Sequence, residues 1–527
     1  MGEDRPKRPD CGGSEYSRRD VLEIGVGAAA LAAAGQASGQ APRRRPNILF
    51  LMTDQHRGDC IGADGNAAIQ TPNLDRIARQ GVLFRHAYTC TPSCTPARAA
   101  LLTGLAPWHN GMLGYGRVAT QYRNELPRML REAGYHTLGI GKMHWHPQRT
   151  LHGFHKTLLD ESGRAETKGF VSDYRQWFRQ QAPSLNPDAT GIGWNDYRAK
   201  PYVLPERLHP TRWTGDRAVE FLEGYQGTEP FFLKVSFARP HSPYDPPQRF
   251  WSLYRTEDMP KPVVGRWAER NAMRGSKLGP STPRGDLGLE TAQRARRGYY
   301  ANVTFLDEQV GRILKVLEDR GWLDGTLILM TGDHGDMLGD HHLWRKTYAY
   351  EGSARIPMLI RWPEGMVPAK RGIKLDPCVE LRDVLPTFLD AAGLEVDESR
   401  FDGRSMLKLL RGQTEGWRKY IGLEHSRCYW PANQWTALTD GRWKYIYGAY
   451  DGSQQLFDMA NDPGECVDLA GEAKHKETLA LWRKRMIDHL AERGEPYVAS
   501  GDLGIRKPAM LYSPHHPGRA KRKTGRT

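Results

Sequence analysis

Four short apolar runs, each ending in polar or charged residues, restrict the fold of this chain more than anything else in it. PNILFLMTDQ (46–55) ends in Asp54 and Gln55, and YHTLGIGKMHWH (135–146) in Lys142, His144 and His146. PFFLKVSFARPHSPY (230–244) leads to His241, and TLILMTGDHGD (326–336) to Asp333 and His334. A fifth run, IPMLIRWP (356–363), carries no such cluster and reads as purely structural. Continuous apolar runs of this length predict strands buried on both faces. The segments between them read as helices. In TPNLDRIARQG (71–81), Thr71 is a candidate N-cap, Pro72 suits the first helical position and Gly81 a stop. Val303, Leu306, Val310, Ile313 and Leu317 repeat at spacings of three and four just before the Asp333 strand. Strands alternating with helices predict a doubly wound α/β fold with a large parallel sheet, whose ligands bind beyond the carboxyl ends of the strands. That rule would gather Asp54, Lys142, His144, His241, Asp333 and His334 into one crevice.

After about Trp417 the pattern changes. YIGLEHSRCYW, QWTALTDGRWKYIYGAY and QQLFDMANDPGE alternate apolar and polar residues around turn signals, and KETLALWRKRMIDHLAERG reads as an amphipathic helix. A small antiparallel sheet with one helix is expected there, packed as a second subdomain. The chain thus divides into a leader (1–41), a catalytic domain (46–415), an α+β subdomain (416–500) and a basic tail (501–527), the last expected to be solvated and disordered.

The formal charge of +14 invites a nucleic-acid reading, which the charge distribution opposes. Residues 506–527 hold seven Lys/Arg and no acid, whereas residues 1–41 hold five basic and six acidic residues. The body between them carries 63 basic and 55 acidic side chains. Such a mild excess suits small anionic ligands better than a DNA groove.

Arg18 and Arg19 precede an Ala/Gly-rich apolar stretch that is too short to span a bilayer and is followed by small residues. This order, charged then apolar then cleavable, is that of a twin-arginine export signal. The mature protein is therefore expected in the periplasm or outside the cell, without a membrane span. Among the seven cysteines no zinc-type C-x-x-C spacing occurs, and the five other than Cys11 and Cys94 cannot all pair with one another.

The stretch CTPSCTPARAALLTG (90–104) has two cysteines four residues apart, but only Cys94 is followed by proline and then arginine, Arg98. Thr95 is a candidate N-cap and Pro96 fits a first turn, so a helix should begin immediately after Cys94 and turn the positive end of its dipole toward it. A free cysteine is most often a small buried hydrophobe. Here, however, Cys94-Thr95-Pro96-Ala97-Arg98 followed by Leu101-Leu102-Thr103-Gly104 resembles the signature of the type I sulfatases, and GYHTLGIGKMH (134–144) is similar to their second signature. LFDMANDPGE (456–465) looks like the family's C-terminal subdomain, so the resemblance runs from Asn47 to about Ala470.

The resemblance implies an alkaline phosphatase-like fold, a large mixed or parallel sheet between helices, and conversion of Cys94 to formylglycine by a maturation enzyme. Hydrated formylglycine has two hydroxyls on one carbon: one attacks sulfur, and the other lets the ester collapse and release sulfate. The resemblance also implies that Asp54, Gln55, Asp333 and His334 bind a hard divalent cation beside residue 94. Ca²⁺ is the expected ion, with Mg²⁺ or Mn²⁺ as alternatives. The family often has a second aspartate where this chain has Gln55 and an asparagine where it has His334, which makes these two the departures in the ligand set. Arg98 matches the residue that steadies this loop, and Lys142 and Lys346 match the lysines that hold the sulfate oxygens. His144 matches the base in the collapse step and His241 the acid at the leaving oxygen. Trp344, Arg345, Arg355, His425, Trp430 and Trp435 are candidates for the mouth, and packing within the subdomain is an equal reading of the tryptophans.

The expected activity is hydrolysis of a sulfate monoester on a sulfated small molecule or glycan. The rivals are a phosphonate monoester or phosphodiester hydrolase with the same formylglycine and metal, and a non-catalytic sulfated-glycan-binding protein. Oligomeric state has no signal in the sequence.

Overall fold

The computed structural model describes residues 45–274 and 278–518. At its centre lies β1 (Asn47–Asp54), whose apolar run is buried on both faces, as the other long strands are. The remaining strands of the sheet are β2 (Val82–Phe84), β3 (His136–Gly141), β4 (Lys156–Leu159), β5 (Phe231–Pro240), β6 (Thr326–Gly332), β7 (Met358–Arg361) and β8 (Ile373–Leu375). They lie in the order β4-β3-β5-β1-β6-β7-β2-β8. All neighbours are parallel except β7, which runs antiparallel to both β6 and β2. β7 is the run that lacked a polar cluster. Its carboxyl end points to the opposite edge of the sheet from the ends of β3, β5, β1 and β6, so it has nothing to contribute there.

The helices of eight residues or more are α1 (Pro72–Arg79), α2 (Cys94–Thr103), α3 (Asp173–Gln181), α4 (Pro210–Gly224), α5 (Leu289–Asp319), α6 (Val384–Ala391) and α7 (Lys476–Leu490). They cover both faces of the sheet. Ile48, Phe50 and Met52 of β1 pack into a core with α2 and α6, whereas Leu49 and Leu51 point the other way, into a core with α1, α4 and α5. Each such fully buried side chain contributes about 1.5–3 kcal/mol. Val303, Leu306, Val310, Ile313 and Leu317 are all buried on α5, as their spacing predicts. At α1 the expected cap is absent, because the Thr71 hydroxyl donates to the Asp75 side chain (3.0 Å) and accepts from the Gly62 N–H (2.8 Å) instead of accepting from a backbone N–H of the helix.

The second subdomain contains the expected antiparallel sheet, β9 (Ile421–His425), β10 (Trp435–Thr439), β11 (Trp443–Gly448) and β12 (Gln454–Asp458), paired in chain order. Its residues alternate between two environments. Leu438, Tyr445 and Leu456 meet Trp482, Met486 and Leu490 of α7, whereas Ala437, Ile446 and Phe457 face Tyr88, Met337 and Tyr350 of the larger body.

The expected break at residue 501 is not where packing stops. The Leu113 N–H donates to the Leu511 carbonyl (3.0 Å) and the Ser513 N–H to that of Gly111 (2.9 Å), so residues 511–513 pair with residues 111–113. Backbone pairing and the burial of Leu503 and Arg506 outweigh the basic composition here. The leader (1–41) and residues 519–527 lie outside the described residues. Among the described residues no helix is long and apolar enough to cross a membrane. All six described cysteines are unpaired.

Candidate active site

Parallel register builds the site. Thr53 of β1 pairs with Gly332 of β6, so Asp54 and Asp333 emerge side by side. Asp54 is also in register with Pro240 of β5, one residue before His241. Gly141 of β3 pairs with Ser236 of β5, one residue before Lys142. Four adjacent strands therefore deliver Lys142, His241, Asp54 and Asp333 to one edge. The β3 exit requires glycine: Gly141 has φ +92°, and a Cβ there would lie 2.0 Å from the Ser236 carbonyl oxygen.

Cys94 comes to this edge from α2. The helix starts at Cys94 itself, one residue earlier than expected, with Ser93 rather than Thr95 at the cap in an extended conformation. Pro96 then falls in the first turn, where its missing N–H costs nothing. The Thr95 hydroxyl accepts from the Gly116 N–H (3.2 Å) and is not available to the helix.

Around the sulfur, His334 Nε2 is at 3.2 Å, Lys346 Nζ at 3.0 Å and an Asp54 oxygen at 3.7 Å. The ligand-type atoms of Asp54, Cys94, Asp333 and His334 all lie within 4.8 Å of one another, and all four residues are fully buried. His334 Nδ1 stands 2.9 Å from the Gly335 carbonyl oxygen, which can only accept, so Nδ1 carries a proton and Nε2 faces the cluster; burial opposes protonation of the ring, but Asp333 and Cys94 raise it above the ordinary histidine value. The Arg98 guanidinium ties the two aspartates together, Nε to Asp333 (2.9 Å) and Nη2 to Asp54 (3.2 Å), and also donates to Ser236 Oγ (3.1 Å). Lys142 is ion-paired with Asp54.

Gln55 sits beside the cluster at φ +65°. Its N–H donates to Asp333 (2.9 Å) and its amide Nε2 to Asp336 (2.5 Å), which leaves its Oε1 buried without a partner. Asp336 has no free lone pairs to offer a metal. It accepts from the Tyr244 hydroxyl (2.6 Å) and the N–H groups of Leu338 (3.0 Å) and Arg345 (2.9 Å) as well as from Gln55.

The electrostatics follow from this packing. Burial alone would raise the Asp54 carboxyl, but Lys142, His241, Lys346 and Arg98 hold it well below the usual carboxylate range. Burial and Asp54 push the Cys94 thiol up, whereas Lys346, Lys142 and His334 outweigh them and bring it down to about 6. Burial lowers both other histidines well below their ordinary value, with Lys346 adding at His241 and Arg164 at His144. Both are therefore neutral. His241 keeps its Nδ1 proton on the Ser242 carbonyl (2.9 Å) and has a buried Nε2 without a partner. His144 has φ +60°, and Nε2 meets Arg164 and the Tyr115 hydroxyl (3.3 Å).

Several residues here carry no sequence signal. The Glu161 carboxylate accepts the N–H groups of Met143 and His144, both at 2.9 Å. Trp194 stands edge-on to His241 (4.9 Å) beneath Lys142 (5.2 Å) and Arg164 (4.4 Å). Tyr429 also lies here without such a signal, 5.1 Å beneath Arg345, one of the mouth candidates. Of the mouth candidates, Trp344 is buried against Tyr197, and Trp435 is buried and donates to the Thr347 carbonyl (2.8 Å). Arg355 is paired with Asp64 and Glu351, and His425 is buried at 2.9 Å from Ser93 Oγ. Neither pair of contacts leaves a side chain free for a substrate.

Residues 46–394 match the family model described as Sulfatase, and residues 339–492 match the one described as N-sulphoglucosamine sulphohydrolase, C-terminal. An arylsulfatase of Clostridium perfringens is 38% identical over 472 residues, covering 87% of this chain and 97% of that protein. An N-acetylglucosamine-6-O-sulfatase of Bacteroides thetaiotaomicron is 30% identical, covering 87% and 90% respectively. The phosphonate monoester hydrolase of Agrobacterium radiobacter superposes with a TM-score of 0.72 at 26% identity, over 88% of this chain and all of that one.

Proposed function

This chain belongs to the sulfatase family of sulfuric ester hydrolases, with an alkaline phosphatase-like fold, and from that premise we propose that it removes sulfate from a sulfated carbohydrate at a formylglycine made from Cys94. The observation that carries this reading is the convergence of Asp54, Cys94, Asp333 and His334 within 4.8 Å, with Arg98, Lys142 and Lys346 balancing their charge.

The donor set fits a hard divalent cation. Asp54 and Asp333 bring carboxylate oxygens and His334 an Nε2 that a bound cation would claim in place of a proton, and the unpartnered Gln55 Oε1 is a buried acceptor in need of a donor or an ion. A cation held there supplies positive charge that polarises a sulfate oxygen. A formylglycine at position 94 supplies a geminal diol, whose two hydroxyls serve attack on sulfur and release from it.

The remaining work falls to the protein's own side chains. Lys142 and Lys346 hold sulfate oxygens and stabilise charge developing on them. Arg98 fixes both aspartates by hydrogen bonds that leave it no freedom. His241 is neutral with a bare Nε2, so it takes up a proton as the anionic ester arrives and returns it to the leaving oxygen. His144, held neutral, would serve as a base toward position 94. Arg164 lies over both Tyr115 and Trp194 beside His144 and His241, one cation with two aromatic faces, a set that suits a sugar ring bearing negative charge. The glycan-directed relative favours a carbohydrate over a simple ester. The Arg18-Arg19 leader supports export in the folded state.

The test is the rate on an aryl sulfate against an aryl phosphonate, measured with enzyme from the native host whose Cys94 tryptic peptide has been weighed. The expected results are faster sulfate turnover and the mass of formylglycine. Faster phosphonate turnover, which the structural likeness to a phosphonate monoester hydrolase makes the specific rival, would overturn the assignment.

A further inference from the structure

Behind Trp194 lies a second cavity of about 390 Å³, within the range of ~300–1,000 Å³ typical of small-molecule sites. It opens beyond the ends of β4 and β5. Trp194, Tyr174 of α3 and Tyr202 form its aromatic walls, and both tyrosine hydroxyls are engaged by the Leu208 carbonyl (2.8 and 3.5 Å).

What sets it apart is its polar lining. Asp160 Oδ2, Ser162 Oγ, Arg175 Nε and Thr190 Oγ1 are buried and have no hydrogen-bond partner among the described residues. Asp160 is 1% exposed and Thr190 3%. Buried polar atoms are ordinarily paired, so four such atoms around one space need an explanation. Gln55 Oε1, His241 Nε2 and His144 Nδ1 of the catalytic site are in the same condition. Other such atoms are scattered through the described residues, but here four of them belong to residues that line one cavity.

The chemistry of the lining selects the ligand. Arg175 is neutralised by Asp188 (2.7 Å) and Arg239 by Asp245 (2.8 Å), and Asp160 has no ion-pair partner among the described residues. An inorganic anion would meet the unpaired Asp160, and a cation would meet the Arg175 donor. A hydroxyl both donates and accepts, so it satisfies all four atoms, and the flat faces of a sugar ring suit aromatic walls. We propose that this cavity binds one uncharged pyranose ring, at a site separate from position 94 that shares Trp194 as a wall. The proposal holds whether or not the catalytic site turns over a sulfate ester.

Saturation-transfer NMR on the full chain, titrated with methyl β-D-glucopyranoside and methyl β-D-galactopyranoside, tests it. Wild type and Cys94→Ala are expected to bind at least one of the two with equal affinity. Thr190→Val and Asp160→Asn should each weaken binding at least about fivefold, the cost of one lost hydrogen bond. Thr190→Val should also melt no lower than wild type, because its hydroxyl has no protein partner to lose. Should one variant fail to fold, the other decides. Absence of transfer to both glycosides, undiminished binding in the folded variants, or loss of binding in Cys94→Ala would each overturn the proposal.

Discussion

The Lys346 ammonium lies 3.0 Å from the Cys94 sulfur, across 252 residues of chain. Lys346 is buried, and no ion-pair partner for it is found among the described residues, so its charge is directed at position 94 itself. Lys346→Ala is expected to lower kcat on an aryl sulfate by about 10²–10³-fold, the usual effect of removing a donor from developing charge. Lys346→Arg should recover part of it. Steady-state kinetics of both variants, matured alike, checks this.

Metal removal should be visible without turnover. Asp54 and Asp333 emerge from neighbouring strands as two fully buried carboxylates. A cation at one hundred times its Kd would stabilise the fold by about 2.7 kcal/mol. Chelation with EDTA is expected to lower the Tm and abolish activity, with Ca²⁺ restoring both. Asp333→Asn should remove the response of Tm to Ca²⁺.

Glu161 is expected to act as a positioning residue through His144. Its carboxylate holds two successive N–H groups where His144 adopts φ +60°, a conformation that L-residues rarely take. Glu161→Ala leaves both donors unpaired and lets the imidazole drift. The expected loss is about 10–100-fold in kcat, with KM little changed. Glu161→Gln keeps an acceptor and should restore most of the rate, a pattern that general destabilisation would not produce.

Stability should fall on the acid side of neutrality. Burial holds His341 and His425 at about 4 instead of 6.5, against the opposing pull of Asp340 at the first and the Ser426 carbonyl at the second. Between those values the unfolded chain binds protons that the folded chain refuses, so stability rises with pH across the window from 4 to 6.5. Each histidine accounts for about 2–4 kcal/mol. Denaturant midpoints should therefore drop as pH falls from 6.5 toward 4, and less steeply in His341→Gln.

The sheet and the residues at its strand ends were legible because one local pattern, an apolar run followed by a polar tip, recurs where parallel strands stop. Asp54, Lys142, His241 and Asp333 need only register to meet. Glu161, Tyr115, Arg164 and Trp194 were not legible, because they stand on irregular segments whose side-chain positions depend on contacts with distant parts of the chain. Asp336 lay in plain view within GDHGD, yet only its four hydrogen bonds distinguish a support for Gln55 from a metal ligand. The tryptophans at 344 and 435 were open between the mouth and the core. Aromatic residues near a site suggested a sugar platform, and packing claimed them. The tail misled for a related reason: its basic composition said nothing about the edge at residues 111–113 waiting for a strand.

The Cys94 side chain exposes none of its surface in the finished fold. On the proposal that Cys94 is the formylglycine precursor, a maturation enzyme would have to bring its own catalytic centre to that sulfur, past the lysine, histidine and aspartate packed over it. Conversion therefore has a deadline, which passes when the chain folds. Folded thiol protein should remain unconverted, whereas a peptide spanning residues 90–104 should be a competent target. Expression that outruns the modifying enzyme would accumulate well-folded, inert molecules that no later treatment short of unfolding could rescue.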